Sequence, residues 1–227
     1  MTQTYFITGT DTDVGKTVCC AALLQAAQAQ GLTTLAYKPI AAGCEVTSKG
    51  LRNEDALVLQ QNSTCTVDYD LINPIAFKEP IAPHIAAQIE KKPIDINRIT
   101  LGLQQLQQYR SDLLIVEGAG GWHLPINNEQ LLSEWVVEQK LPVILVVGMK
   151  LGCLNHAMLT YQTLMNEGVI VVGWIANQLS TDMPFYQQNL QWLTQKFSAP
   201  LIAEIPRLDC PSSSNLAQYV NLKFNNN

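Results

Sequence analysis

Short apolar runs alternate along the chain with longer segments in which apolar residues recur every three or four positions. The short runs predict buried strands, and the longer periodic segments predict helices. The predicted strands are Thr4–Thr8, Thr33–Lys38, Leu113–Glu117, Val143–Val147, Ile170–Ala176 and Leu201–Ile205. The predicted helices are Lys16–Gln30, Glu54–Gln61, Pro83–Lys91, Asn97–Tyr109, Leu131–Gln139, Leu154–Glu167 and Pro184–Phe197. This alternation is typical of strand–helix–strand units built around a parallel sheet.

The fold class follows from this alternation. Strands that consist of continuous apolar runs are buried on both faces, so helices must cover both sides of the sheet. We therefore predict an α/β fold, with a single doubly wound, mostly parallel sheet and helices on both faces. One domain is expected over residues 1–227, and the asparagine-rich tail, Asn225–Asn227, is expected to be frayed.

Composition supports this fold and excludes several classes of function. Hydrophobic residues make up 47% of the chain and charged residues only 15%, which suits a sheet covered on both faces. The formal net charge is −5 and basic residues do not cluster, so we expect no binding to nucleic acid or membrane. The longest apolar run, Leu141 to Met149, is far shorter than the ~20 residues that span a bilayer, and no signal peptide is predicted. The cysteines show no metal-ligand spacing, which favours a reducing cytosol.

The turn after the first predicted strand carries a nucleotide-binding pattern. From Gly9 it reads G-T-D-T-D-V-G-K-T, and it leads directly into the first helix. In such a turn, backbone N–H groups cradle phosphates, Lys16 would reach the β- and γ-phosphates, and the Thr17 hydroxyl would ligate Mg²⁺. The usual spacing would place glycine at position 10, which is threonine, so the loop is one residue longer than standard. The pattern predicts a fold of the P-loop NTPase type, the alternative being a chance Gly-Lys-Thr at an ordinary helix start.

Glu117 and Lys38 end predicted strands, where ligands bind in such sheets, and Asp55 lies in the first turn of a predicted helix. Glu117 ends a strand before four small residues, so its carboxylate is a candidate Mg²⁺ ligand. Lys38, which Pro39 holds extended, could neutralise a transferring phosphoryl group, or it could be an ordinary surface lysine. Asp55 could supply a third oxygen ligand to the metal. Alternatively, it could be an ordinary acidic residue that the helix dipole favours in the first turn of a helix. The histidines lack partners at ligand spacing and are not expected to be catalytic.

Together these motifs closely resemble the dethiobiotin synthetase family. The matching strings are G-T-D-T-D-V-G-K-T from Gly9, Y-K-P-I-A-A-G from Tyr37, G-L-R-N-E-D-A-L from Gly50, V-E-G-A-G-G-W from Val116, L-P-V-I-L-V-V-G from Leu141, K-L-G-C-L-N-H-A-M-L-T from Lys150, G-W-I-A-N from Gly173 and E-I-P from Glu204. The resemblance implies ATP- and Mg²⁺-dependent carboxylation of 7,8-diaminononanoate with CO₂, followed by ring closure to dethiobiotin, ADP and phosphate, in biotin biosynthesis. A carbamate and a carbamic-phosphoric anhydride would be the intermediates, and no enzyme nucleophile is required.

The resemblance also implies roles for particular residues. Lys38 would be the catalytic lysine beside the carbamate and the γ-phosphate, and Lys16 would serve the phosphates. The implied positions are Thr12, Lys38 and Asn155 for the substrate, Thr17, Asp55 and Glu117 for Mg²⁺, and Asp13, Val14, Gly15, Lys16, Thr17, Val18, Asp55, Glu117, Gly118, Ala119, Gly120, Asn177, Gln178, Pro206, Arg207 and Leu208 for ATP. Family members are homodimers, and the segment 151–155 would help to bind the substrate's tail carboxylate across the interface.

The chain departs from the family at some positions, and two other classes of protein share parts of its pattern. Ala42 stands where the family commonly has a serine that touches substrate, and the segment after Leu208 shows no clear match. Switch ATPases of the MinD/ParA kind share the expected fold, but they carry a lysine early in the loop, and here no lysine precedes Lys16. Ligases related to cobyrinate or CTP synthesis usually carry a glutaminase domain as well, for which 227 residues leave no room.

Overall fold

The computed structural model describes residues 2–211 and 214–221. The strands are β1 (Gln3–Gly9), β2 (Thr34–Tyr37), β3 (Ile40–Ala41), β4 (Glu45–Thr47), β5 (Gly50–Arg52), β6 (Ile75–Ala76), β7 (Leu113–Glu117), β8 (Val143–Met149), β9 (Val171–Gln178) and β10 (Leu201–Ile205). The helices are α1 (Lys16–Ala29), α2 (Glu54–Asn62), α3 (Tyr69–Ile72), α4 (Pro83–Glu90), α5 (Ile96–Gln108), α6 (Leu132–Glu138), α7 (Cys153–Asn166) and α8 (Tyr186–Lys196), followed by a 3-10 helix, Leu216–Tyr219.

The main sheet has six parallel strands in the order β10-β9-β8-β1-β7-β2. From β1 the chain passes through α1 to β2 at one edge, and after β7 it crosses to β8 on the other side of β1. The direction of winding therefore reverses next to β1, and this is the place where doubly wound sheets bind their ligands. This topology confirms the predicted fold class, and all six predicted strands are present.

Consecutive residues of the central strands face opposite layers of helices, as the two-residue period of a strand requires. Ile7, Ile115 and Ile144 pack with α1 and the 3-10 helix on one face. Phe6 and its counterparts on β7 and β8 pack with α5, α6 and α7 on the other face. On α5, Ile99, Leu103 and Leu106 recur at three- and four-residue spacing and are buried in that second layer. Helices thus cover both faces of the sheet, and the carboxyl ends of its strands remain accessible for a binding site.

The structure also contains short elements that the sequence patterns did not predict. β3 pairs with β6 over two residues, and β4 and β5 form an antiparallel hairpin. Such elements are too short to show a period, and β4 is exposed along its whole length. The predicted frayed tail, Asn225–Asn227, lies outside the described residues. Within the described part of the chain, no helix is long and apolar enough to cross a membrane.

Candidate active site

The phosphate loop occupies residues 10–15, between the end of β1 and the start of α1. Gly15 has φ +82°, in the left-handed region that favours glycine, and it directly precedes α1. A Cβ built on Gly15 would collide with the side-chain amide of Asn177. That same amide donates a hydrogen bond to the carbonyl of Val14 at 2.8 Å. Asn177, at the end of β9, therefore fixes the shape of the loop from a strand two positions away in the sheet.

Two side chains of the first turn of α1 point from the loop into the site. The ammonium group of Lys16 donates to the backbone carbonyl of Asp11 at 3.2 Å, so the side chain folds back over the loop. Burial lowers the pKa of Lys16, and the neighbouring positive charge of Lys38 lowers it further. The hydroxyl of Thr17 donates to Oε1 of Glu117 at 2.9 Å. The ammonium group of Lys16 and the hydroxyl of Thr17 therefore have the arrangement expected for binding a triphosphate and its metal ion.

Lys38, Glu117 and Asp55 form a compact charged cluster. The ammonium group of Lys38 lies 2.5 Å from Oε1 of Glu117 and 2.8 Å from Oδ2 of Asp55. Lys38 is only 3% exposed, so its interpretation as a surface lysine is wrong. Burial alone would lower the pKa of Lys38, but the two carboxylates outweigh burial and raise it above its usual value. The two carboxylates therefore favour the charged ammonium form of Lys38 at the carboxyl ends of the strands.

Asp55 reaches this cluster from the first turn of α2. Asn53 caps that helix, because its side-chain oxygen accepts a hydrogen bond from the N–H of Ala56 at 3.2 Å. Burial would raise the pKa of Asp55, but the charge and hydrogen bond of Lys38 lower it overall. Asp55 thus has a specific charged partner as well as a favourable place on the helix dipole.

The residues present fit a magnesium ion. Thr17 and Lys38 both bind Oε1 of Glu117, whereas Oε2 of Glu117 is buried without a hydrogen-bond partner among the described residues. An orphaned carboxylate oxygen is a natural ligand for a hard cation. The described residues contain no group of three or more His, Cys, Asp or Glu side chains that could hold a metal. Magnesium needs few protein ligands, because it keeps several waters and binds substrate phosphates.

These groups line one cleft of about 830 Å³. It brings together most of the residues predicted to bind phosphate, metal or substrate, namely Thr12, Asp13, Gly15, Lys16, Thr17, Val18, Lys38, Asp55, Glu117, Ala119 and Gly120. Its remaining wall consists of Ala41, Ala42, Asn53, Pro80, Ile81, Ala82, Pro83 and Leu124. Of these, the sequence had pointed only to Ala42, which stands where the family commonly has a serine that touches substrate. For the segment 80–83, the available signal was the proline at each end, and Pro83 begins α4.

Other predicted site residues do not line this cleft. Val14 is fully buried against the sheet, and a Cβ on Gly118 would lie 2.8 Å from the ring of Phe6, so both serve packing. Residues 177–178 end β9, and residues 206–208 follow the adjacent strand β10, with Ile205 level with Asn177. These five residues, all predicted to bind ATP, therefore lie at neighbouring strand ends beside the phosphate loop. Asn155 lies apart, exposed in the first turn of α7.

Comparisons with known proteins identify relatives along nearly the whole chain. A family model described as an AAA domain matches residues 3–213. The chain is 47% identical over 216 residues to the ATP-dependent dethiobiotin synthetase BioD of Aeromonas salmonicida, covering 95% of this chain and 96% of the relative. It is also 47% identical over 223 residues to the ATP-dependent dethiobiotin synthetase BioD 1 of Escherichia coli K12, covering 98% and 99% of the two chains.

Among solved structures, the MinC:MinD cell division protein complex of Aquifex aeolicus matches with a TM-score of 0.57 and 15% sequence identity. The match covers 96% of this chain and 87% of the other. At this identity the likeness shows a shared fold only. The sequence relatives, by contrast, distinguish this chain from the switch ATPases considered above.

Proposed function

Because the chain belongs to the ATP-dependent dethiobiotin synthetase family, its activity is the ATP-dependent synthesis of dethiobiotin, and we propose that the cleft around Lys38 is where this reaction takes place. The reaction joins CO₂ to 7,8-diaminononanoate and closes a cyclic urea, a step of biotin biosynthesis. One observation carries the proposal: the buried ammonium group of Lys38 lies 2.5 Å from the carboxylate of Glu117, which also accepts a hydrogen bond from the hydroxyl of Thr17. The nucleotide side and the substrate side of the cleft meet at Glu117.

We propose that ATP lies along the phosphate loop. The segment 13–18 would wrap the triphosphate with backbone N–H groups, and Lys16 would bind the β- and γ-phosphates. Residues 118–120 would flank the phosphates from the neighbouring strand, and Asn177, Gln178 and residues 206–208 would bind the adenine. Thr17, Asp55 and Glu117 would hold Mg²⁺, directly or through water. The ion held by these residues would supply positive charge that offsets the negative charge developing on the transferred group.

The protein supplies position and charge rather than a nucleophile. An amine of the substrate attacks CO₂ and loses a proton to give a carbamate, whose oxygen then attacks the γ-phosphorus and displaces ADP. The second amine attacks the carbon of the resulting anhydride, phosphate leaves, and the ring closes. Lys38 would stabilise the carbamate and the transferred phosphoryl group, and its raised pKa keeps the ammonium charged. Thr12 would contact the diamine at the same wall of the cleft.

Phosphate release from Mg-ATP and bicarbonate tests this function. We expect release only when the diamino acid is also present, because carbamate must form before the γ-phosphate can be transferred. The product should carry one carbon more than the diamine, which mass spectrometry with ¹³C-bicarbonate would detect. A protein that hydrolysed ATP at the same rate with and without the diamine would behave as a switch ATPase, and the proposal would be wrong.

We propose further that the enzyme is a homodimer whose partner completes the substrate site. Leu151, just before α7, is 97% exposed, and Leu159 on the same helix is 57% exposed. Lys150 forms an ion pair with Asp11 at 3.3 Å, so the start of α7 is tied to the phosphate loop. The first N–H groups of a helix lack intrahelical acceptors and attract anions. With Asn155 in that turn, the segment 151–155 could bind the substrate's carboxylate across a two-fold interface.

Replacing Leu151 with glutamate should weaken this dimer. An isologous interface places a charged side chain twice in an apolar contact, so we expect monomers in sedimentation velocity and a KM for the diamine raised about tenfold or more. Binding of Mg-ATP should change little, because the phosphate loop is untouched. Leu101→Glu is the matched control, since Leu101 is 57% exposed on α5. A wild-type protein that sediments as a monomer would contradict the proposal.

We also propose that the enzyme works in the cytoplasm. ATP is available there, and thiols such as those of Cys19 and Cys20, which are buried in the core, stay reduced in that compartment. Residues 1–227 would form one domain around the central sheet, as the continuous alternation of strands and helices suggests.

A further inference from the structure

Two consecutive side chains of the loop between β7 and α6 bind a single carboxylate. The indole nitrogen of Trp122 donates to Oε2 of Glu167 at 2.8 Å, and Nε2 of His123 lies 2.7 Å from Oε1 of the same residue. Glu167 directly follows α7, so its two oxygens connect this loop to the end of that helix. Trp122 is 6% exposed, whereas His123 is exposed. We call these three side chains the Glu167 clamp.

The segment just before the clamp, Gly118–Gly121, runs beside the phosphate loop. A Cβ built on Gly121 would lie 3.6 Å from the carbonyl oxygen of Gly9, and one built on Gly120 would lie 3.7 Å from the hydroxyl of Thr12. Two residues of the segment line the cleft. The position of this short stretch therefore sets the width of the cleft on its phosphate side.

Glycine-rich backbone has little conformational preference of its own, so its position depends on how its two ends are held. One end continues from Glu117, which lies in β7. The other end is Trp122, whose ring packs edge-on against Phe6 of β1 with ring centroids 6.2 Å apart. That apolar contact fixes where the ring lies, and the hydrogen bond to Glu167 fixes its orientation. Trp122 is 6% exposed and the side chain of Glu167 is 33% exposed, so this hydrogen bond lies at the boundary between core and solvent.

We propose that Glu167 is a positioning residue for nucleotide binding, acting through Trp122 and His123 to hold Gly118–Gly121 against the phosphate loop. The inference rests on the proposed function, in which that segment flanks the triphosphate. Glu167 itself does not line the cleft, so it would act only through these two side chains. A carboxylate suits the task because each of its two oxygens accepts from one of the two neighbouring donors, whereas an alanine side chain accepts from neither.

The test compares Glu167→Ala, Glu167→Gln and Trp122→Phe by titration with Mg-ATP alone, followed by steady-state turnover. We expect Glu167→Ala to raise the Kd and KM for Mg-ATP about tenfold while the KM for the diamine stays within about twofold. Trp122→Phe, which keeps the ring but loses the donor, should reproduce most of this effect. Glu167→Gln should recover most of the affinity, because its amide still accepts from Trp122. The double variant Trp122→Phe/Glu167→Ala should be no worse than Glu167→Ala, since both remove one interaction.

Glu138→Ala, at an exposed position in the last turn of α6, is the matched control and should bind Mg-ATP like the wild type. A purely structural role for Glu167 would lower the Tm and leave the Kd for Mg-ATP unchanged well below the Tm, and that result would overturn the proposal. Fully additive losses in the double variant would do the same. The binding titration uses no diamine, so it can fail while the wild type still makes dethiobiotin, and the two failures are distinguishable.

Discussion

Lys16→Ala should abolish dethiobiotin synthesis and weaken the binding of Mg-ATP. The side chain of Lys16 folds back over the phosphate loop, and its ammonium group lies 3.2 Å from the backbone carbonyl of Asp11. We expect a phosphate oxygen to replace that carbonyl as the partner of the ammonium group. Because this charge would meet the β- and γ-phosphates most strongly during transfer, we expect turnover to fall by about 10²- to 10³-fold or more. Phosphate release and calorimetric titration with Mg-ATP measure the two effects separately.

Lys49→Ala is the control for this experiment. Lys49 is exposed at the turn of the β4–β5 hairpin, and its substitution removes the same charge from the protein. It should leave both turnover and affinity unchanged. If the Lys16 variant kept most of its turnover, the assignment of the phosphate loop would be wrong.

Lys38→Gln should separate nucleotide binding from chemistry. The variant keeps the phosphate loop intact and should bind Mg-ATP nearly as well as the wild type, but we expect turnover to fall about 10²-fold or more. The substitution also leaves Glu117, which is 1% exposed, without its charged partner. Without Mg²⁺ the variant should therefore lose about 3 kcal/mol or more of stability, measured by urea unfolding.

Lys38→Arg keeps the positive charge between the carboxylates and serves as the matched variant. It should restore most of the lost stability, because the positive charge between the carboxylates remains. It should restore little of the turnover, because a planar guanidinium does not present its charge to the substrate as a compact ammonium does. Equal losses of ATP affinity and turnover in Lys38→Gln would contradict the role assigned to Lys38.

The sequence could predict the strands and the phosphate loop because their signals are local. The apolar runs of β7 and β10 have the bounds that were predicted, and Lys16 begins α1 as expected. Lys38 was ambiguous, since a lysine at a strand end can point into a crevice or into solvent. The sheet order resolves it: β7 lies between β1 and β2, and Tyr37 is level with Val116, which brings the next residues, Lys38 and Glu117, side by side.

Contacts between distant parts of the chain could not be predicted in this way. Trp122 and Glu167 are 45 positions apart, and nothing in the spacing of either residue indicates the other. Leu124 and the segment 80–83 line the cleft only because of how their loops pack, and loop packing leaves no period in a sequence. Asn177 was predicted at the adenine, yet its amide is already bonded to the carbonyl of Val14, a contact that only coordinates reveal.

The two carboxylate oxygens of Glu117 have different surroundings. Oε1 accepts from the hydroxyl of Thr17 and from the ammonium group of Lys38, whereas Oε2 meets no donor within the described part of the chain. If Glu117 holds Mg²⁺ as proposed, the ion would bind Oε2 while Thr17 and Lys38 keep their hydrogen bonds to Oε1, so this carboxylate, which is 1% exposed, would need no change of rotamer. The conformational entropy of that side chain is lost when the protein folds, so it does not reduce the free energy of nucleotide binding.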